Sequence, residues 1–187
     1  IIKHNNPCGV ASAKNIHNAY LKALQSDFKS AFGGIVLFNR KIEKNLAKLL
    51  IKNFYEVVVS PKFSQETLQM LRLKKNLIII DSSTLNKKTN KIYETVNSGV
   101  LCQEFNSYKI LKSEIKLVSK KKSSDKILND LIFAYRVAKH VKSNAIVLVN
   151  NKQTLGIGAG QMSRVDSTKI AIMKYKYFFK DKSFVCA

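Results

Sequence analysis

The sequence predicts an α/β protein built on a largely parallel, covered sheet. Three observations carry this. Short apolar runs, Gly34-Ile35-Val36-Leu37-Phe38, Val57-Val58-Val59 and Leu77-Ile78-Ile79-Ile80, have the length and character of buried strands. Between them lie stretches whose apolar residues recur at helical spacing. Apolar residues make up 45% of the chain and charged residues 24%, a globular composition that excludes disorder for the chain as a whole. At 187 residues, one or two domains with cores of their own are expected.

Ile1-Ile2 ends a first strand. Ser12 is a candidate cap for a helix carrying Ile16, Ala19, Tyr20, Ala23 and Leu24 on one face. After the strand 34–38, a helix from Ile42 to Asn53 turns Ile42, Leu46, Leu49 and Leu50 inward. The strand 57–59 stops at Pro61, and Ser64 caps a helix through Leu71 with Glu66 in its first turn. A polar connection follows from Asp81 to Lys91, then predicted strands at 96–103 and 115–119. Lys120 to Ser124 reads as a linker, so residues 1–122 form a first unit and 123–187 the start of a second. The second unit opens with a helix from Asp125 to Val141, its stripe formed by Leu128, Leu131, Ile132, Tyr135 and Ala138. A hairpin with strands at 145–149 and 154–157 turns at Asn150-Asn151. Gly158-Ala159-Gly160 then leads into a last helix through Ile172 and Met173. The chain begins Ile1-Ile2-Lys3-His4, as if inside a strand, and ends in an apolar stretch. It is therefore expected to be a piece of a longer protein.

The formal net charge of +21 invites a nucleic-acid reading. The make-up of that charge argues against it: 29 of the 33 basic residues are Lys, whereas base and phosphate recognition leans on the bidentate fork of Arg. A basic nucleic-acid-binding α/β module stays as the alternative. No run of roughly 18 apolar residues marks a membrane span. Cys8, Cys102 and Cys186 are odd in number and far apart, which fits a reducing cytoplasm better than a disulfide framework.

Four patches carry candidate chemistry. In Lys3-His4-Asn5-Asn6-Pro7-Cys8-Gly9 a strand runs into a polar turn. Lys3 and His4 would face opposite sides of a regular strand, and a turn can bring both to one cleft; the alternative is one surface lysine and one core histidine. A deaminase-type zinc site is excluded, because Asn6 stands where its Glu would be and Ala11 where its second Cys would be. In Phe32-Gly33-Gly34 the backbone approaches something closely or makes a plain turn. Asn144, between helix and strand, offers both donor and acceptor or serves as a helix end. The glycines Gly156, Gly158 and Gly160 before a helix suggest an anion site, with Arg164 placed to clamp a phosphate or carboxylate.

Five segments, 3–11, 30–35, 97–103, 141–146 and 156–167, together resemble the formyltransferase half of the AICAR transformylase/IMP cyclohydrolase family, in its order and at similar spacing. Phe54-Tyr55-Glu56-Val57-Val58 also resembles that family's second strand. The resemblance implies cytidine-deaminase-like three-layer units without zinc, truncated here. It implies formyl transfer from 10-formyltetrahydrofolate, as co-substrate, to the 5-amino group of AICAR, with no metal or redox cofactor. It also implies a homodimer with the active site at its interface, and neither nucleic acid nor membrane as partner. Residue by residue, Lys3 and His4 match the catalytic pair and Asn144 a residue beside the reacting groups. Phe32, Gly33, Gly158 and Arg164 match substrate contacts, and Glu56 an acidic position near the folate pterin. The family's cyclohydrolase domain would precede Ile1 and the rest of its transformylase would follow Ala187, so this piece is expected to be inactive alone.

Overall fold

A computed structural model describes residues 1–85 and 91–187. The first sheet has five strands: β1 (Ile2–Lys3), β2 (Asn6–Pro7), β3 (Gly34–Leu37), β4 (Tyr55–Ser60) and β5 (Ile78–Asp81). Their order is β2-β1-β3-β4-β5. β1 runs antiparallel to both neighbours, while β3, β4 and β5 are parallel. The mixed α/β class is as the sequence predicted. One face of this sheet is packed by α1 (Ile16–Ser26), α3 (Lys44–Leu50) and α4 (Gln65–Leu71), which bury Val36, Val58, Tyr20, Leu46 and Leu71 in one core. The opposite face is not covered as expected: Ile35, Leu37, Ile78 and Ile80 remain exposed there.

Element ends differ from the sequence reading for local reasons. Asn15, not Ser12, caps α1, its Oδ1 accepting from Asn18 N at 2.8 Å. Ala11 is held extended in a bridge to Gln153, and Ser12 N donates to Lys152 O, so the chain cannot coil before residue 15. Ile42 likewise lies in a parallel bridge with Phe63 rather than in a helix, which delays α3 to Lys44. Ser64 caps α4 as expected, accepting from Thr67 N. Strands expected at 96–103 and 115–119 are instead a hairpin of β6 (Lys91–Val96) and β7 (Gly99–Glu104), with no strand at 115–119. Part of the expected polar connection, residues 86–90, lies outside the described residues.

The second sheet has the order β10-β8-β9, from β8 (Ile146–Asn150), β9 (Gln153–Gly158) and β10 (Val185–Cys186). Asn151 and Lys152 take positive φ at the β8–β9 turn, one residue later than expected. α5 (Asp125–Ala138) packs one face through Ala134 and Val137, and α6 (Arg164–Phe178) packs the other through Ala171. The inward stripe of α5 is rotated from the expected one, with Tyr135 exposed. Asp130 sits on the inward side because its carboxylate accepts from Asn151 N and Lys152 N, both at 2.8 Å, and so fixes the hairpin turn.

α6 lies directly on the backbone of β9. A Cβ on Gly158 would stand 1.9 Å from Ser167 O, and one on Gly156 2.1 Å from Ala171 O. At Gly99 the same atom would meet nothing within 4 Å. Gly158→Ala is therefore expected to lower stability by about 1–3 kcal/mol in urea unfolding, through overpacking. Gly99→Ala should leave the midpoint unchanged.

Asp27, 5% exposed, joins the two sheets' helices. It accepts from Ser30 N and Ser30 Oγ, and pairs with Lys174 of α6 at 2.7 Å. Burial pushes its carboxyl up, but the hydrogen bonds from Lys174 and Ser30 outweigh it and hold the group below the usual carboxylate value. A depressed carboxyl contributes stability that is complete above its unfolded value of about 3.9 and is lost as pH falls through the folded one. Asp27→Asn should cost about 2–3 kcal/mol at neutral pH. That deficit should shrink as unfolding is followed to pH below about 4.

Candidate functional site

Lys3 ends β1, and the next two residues, His4 and Asn5, take φ of 49° and 61°. This left-handed turn re-aims His4, which a straight strand would have sent away from Lys3. Lys3 and His4 both line one cleft of about 380 Å³, together with Ser30, Gln161 and Lys174. His4 is exposed and Lys3 half-buried.

Lys3 is also the link to the second patch. Its Nζ donates to Phe32 O and lies 6.0 Å from the centre of the Phe32 ring. Gly33, at φ 67°, donates from N to Phe54 O, and the Phe32 and Phe54 rings are 5.0 Å apart. A Cβ on Gly33 would be 3.7 Å from both Lys3 Nζ and Glu56 Oε1, so an ammonium and a carboxylate flank this bare stretch of backbone. The lack of a side chain here thus leaves room between two opposite charges.

Asn6 ties the first patch to the third: its Oδ1 accepts from Lys142 N at 2.9 Å. Lys142 O in turn accepts from Gly160 N at 2.8 Å. Asn144 Nδ2 donates to Gln161 O and Met162 O, both at 2.9 Å. Two carbonyl partners settle the orientation of the amide, since only its NH₂ can donate to both. Asn144 therefore braces the 161–162 turn, which carries Gln161 into the cleft.

Of the predicted residues only Lys3 and His4 line the cleft; Phe32, Gly33 and Asn144 adjoin it through the contacts just described, and three others stand further off. Gly158 faces the backbone of α6 and is a packing glycine. Arg164 is exposed at the first turn of α6 and does not line the cleft. The donors expected around it are spent within the chain. Gly160 N is bonded to Lys142 O, and Ser163 Oγ accepts from Val165 N and Asp166 N. Glu56 reaches the site only across Gly33.

Sequence reasoning missed Ser30, Gln161 and Lys174. Ser30 was signalled by the spacing Asp27-x-x-Ser30 of a local cap, and Lys174 by its i,i+4 relation to Ile170, which also lines the cleft. Cys8 lies at the cleft too, but burial, the largest effect on it, pushes its thiol up, so it is no thiolate nucleophile. No cluster of three His, Cys, Asp or Glu side chains could hold a metal ion among the described residues. The groups at hand are the His4 imidazole and two ammoniums, Lys3 bonded to Phe32 O and Lys174 paired with Asp27, in a cleft with amide and hydroxyl walls. That set suits proton transfer and the stabilisation of a developing oxyanion. No helix among the described residues is long and apolar enough to cross a membrane.

The family model described as AICARFT/IMPCHase bienzyme matches residues 1–174. The bifunctional purine biosynthesis protein PurH of Caldicellulosiruptor bescii is 48% identical over 181 residues, 96% of this chain and 35% of that protein. PurH of Caldicellulosiruptor saccharolyticus is 47% identical over 178 residues, 94% of this chain and 34% of that protein. The chain thus spans about a third of the length of the curated relatives it matches. With the match running through the Lys3–His4 turn, the Asn144 brace and most of α6, the chain belongs to the AICARFT/IMPCHase bienzyme family.

Proposed function

We propose that the chain carries part of a formyltransferase site of purine biosynthesis. In this reading, the site moves the formyl group of 10-formyltetrahydrofolate to the 5-amino group of AICAR, in a cytoplasmic homodimer. The observation that supports it best is the convergence of Lys3 and His4 on one cleft. AICAR's amine is a weak nucleophile, because its lone pair is delocalised into the imidazole ring. It needs a base as it attacks. His4 accepts a proton from the amine nitrogen as that nitrogen bonds to the formyl carbon. The carbonyl electrons move to oxygen, and Lys3 stabilises the resulting oxyanion. When the tetrahedral intermediate collapses, the bond from carbon to N10 of the folate breaks, and N10 takes up the proton that His4 holds. The products are the formylated amide and tetrahydrofolate, with atoms and charge balanced and no redox step.

The remaining residues bind and orient. Phe32 and Gly33 offer an aromatic face and bare backbone beside Lys3, with Glu56 opposite for the pterin's donors. Asn144 acts through the turn it braces, since both its N–H groups are already engaged there. Arg164, exposed and away from the cleft, is available to the anionic end of a ligand that extends past it, and the Gly158 region sets where α6 begins. We read residues 1–122 and 123–187 as the first and second deaminase-like units. Each sheet lies within one of those ranges.

In a polypeptide of the relatives' full length, His4→Ala should lower kcat for formyl transfer by at least about 10²-fold. AICAR affinity should change little, as read by calorimetry. Retained turnover would contradict the role of His4. Salt-sensitive binding of DNA or RNA, with no AICAR binding, would favour the nucleic-acid alternative instead. The isolated 187-residue chain should show no turnover.

A further inference from the structure

The short helix α2 (Phe28–Ala31) leads into the residue that aims Lys3. It is four residues long and ends at Phe32, whose carbonyl accepts from Lys3 Nζ. A single helical turn has no cooperative stability of its own, so its position comes from what holds it. Three contacts tie it to α6. Asp27, its N-cap, pairs with Lys174 Nζ at 2.7 Å. The Phe28 and Phe178 rings meet edge to face at 5.2 Å, and Lys29 Nζ lies 4.2 Å from the centre of the Tyr177 ring.

The first of these is unlike the other ion pairs. Four of the five among the described residues join side chains at least 42% exposed, where an ion pair contributes little. In the fifth, the Asp27 side chain is 6% exposed and that of Lys174 27%. Both Asp27 oxygens are in use. Oδ1 accepts from Ser30 N at 3.0 Å, and Oδ2 from Ser30 Oγ and Lys174 Nζ, each at 2.7 Å. Without the ammonium, a buried carboxylate is left uncompensated and must take up a proton or draw in water. Either response changes its bonds to Ser30, and Phe32 lies only two residues further on.

We propose that Lys174 is a positioning residue for formyl transfer: it holds Asp27, Asp27 holds α2, and α2 aims the Phe32 carbonyl that orients the Lys3 ammonium. Lys174 thus acts through Lys3 and not on the ligand, although it lines the same cleft. The proposal rests on the reading above, in which Lys3 stabilises the oxyanion. A misaimed ammonium costs most in the transition state, where charge gathers on oxygen, so the loss falls on kcat and spares AICAR binding.

The test uses a polypeptide of the relatives' full length and reads two quantities. One is steady-state formyl transfer. The other is the Lys3 side-chain resonance in lysine-selective carbon-13 NMR, assigned through Lys3→Arg. Lys174→Met should lower kcat roughly 10–10²-fold, leave KM for AICAR within about two-fold and move the Lys3 resonance. Lys174→Arg, which keeps a cation for Asp27, should restore most of kcat. Lys169→Met, on the same helix with a side chain 73% exposed, should change neither quantity. If Lys174→Met lacks wild-type circular dichroism and melting, Lys174→Gln, which keeps an N–H for Asp27, carries the comparison. An unchanged kcat would overturn the proposal. So would a rise in KM at constant kcat, which makes Lys174 a ligand contact, or a fall in kcat with the Lys3 resonance unmoved, which makes its role merely structural. Lys3→Met separates the proposal from the reading it rests on. Turnover kept in Lys3→Met would remove the role of Lys3, while the Lys3 resonance in Lys174→Met still reports whether Lys174 orients it.

Discussion

At the meeting of α1 and β9, Ser26 Oγ donates to Thr154 O at 2.6 Å, and Thr154 Oγ1 donates to Ser26 Oγ at 3.0 Å. Val10 N donates to Thr154 Oγ1, and Gln153 Nε2 to Lys22 O. Ser26, Gln153 and Thr154 are all buried, and no buried side-chain polar atom lacks a partner among the described residues. A seam of this kind is costly to leave half made, so it selects one relative placement of its two sides. One side carries the segment from β1 through Val10; the other carries β9 and, packed on it, α6. The cleft between Lys3-His4 and Gln161-Lys174 is a consequence of that placement.

The second constraint is backbone approach. Gly156 and Gly158 let α6 sit on β9 with no side chain between. This brings Lys174 within reach of Asp27, whose Ser30 bonds hold the short helix α2 (Phe28–Ala31). Phe32 follows directly, and its carbonyl receives Lys3. A chain of contacts thus runs from helix packing in one sheet to the position of an ammonium in the other. Residues that do not line the cleft, Asp27 and Gly158 among them, set the geometry of those that do.

The alternation of strand and helix was legible in the sequence because buried parallel strands are runs of β-branched residues with little else to be. The Lys3–His4 convergence was legible only as an option. It depends on positive φ at His4 and Asn5, which no side-chain pattern announces. The glycine loop was open to two readings for a related reason: glycine marks close approach, but the sequence does not say whether a ligand or another helix approaches. At Gly158 it is helix α6. The missed cleft residues come from elements far apart in sequence, and the seam that joins them is made of Ser, Thr and Gln, residue types that are equally at home on a surface. The 96–103 strand became a hairpin because Asn97-Ser98, a turn pair, lies inside the apolar run.

In the proposed site the imidazole of His4 faces the same ligand as Lys3. Histidine-selective carbon-13 NMR, on a protein of the relatives' full length with His4 assigned through His4→Gln, reads this directly. On addition of AICAR, the His4 ring resonance should move while those of His17 and His140, which lie outside the cleft, stay in place. A His4 signal that ignores saturating AICAR while the nucleotide binds elsewhere would contradict it.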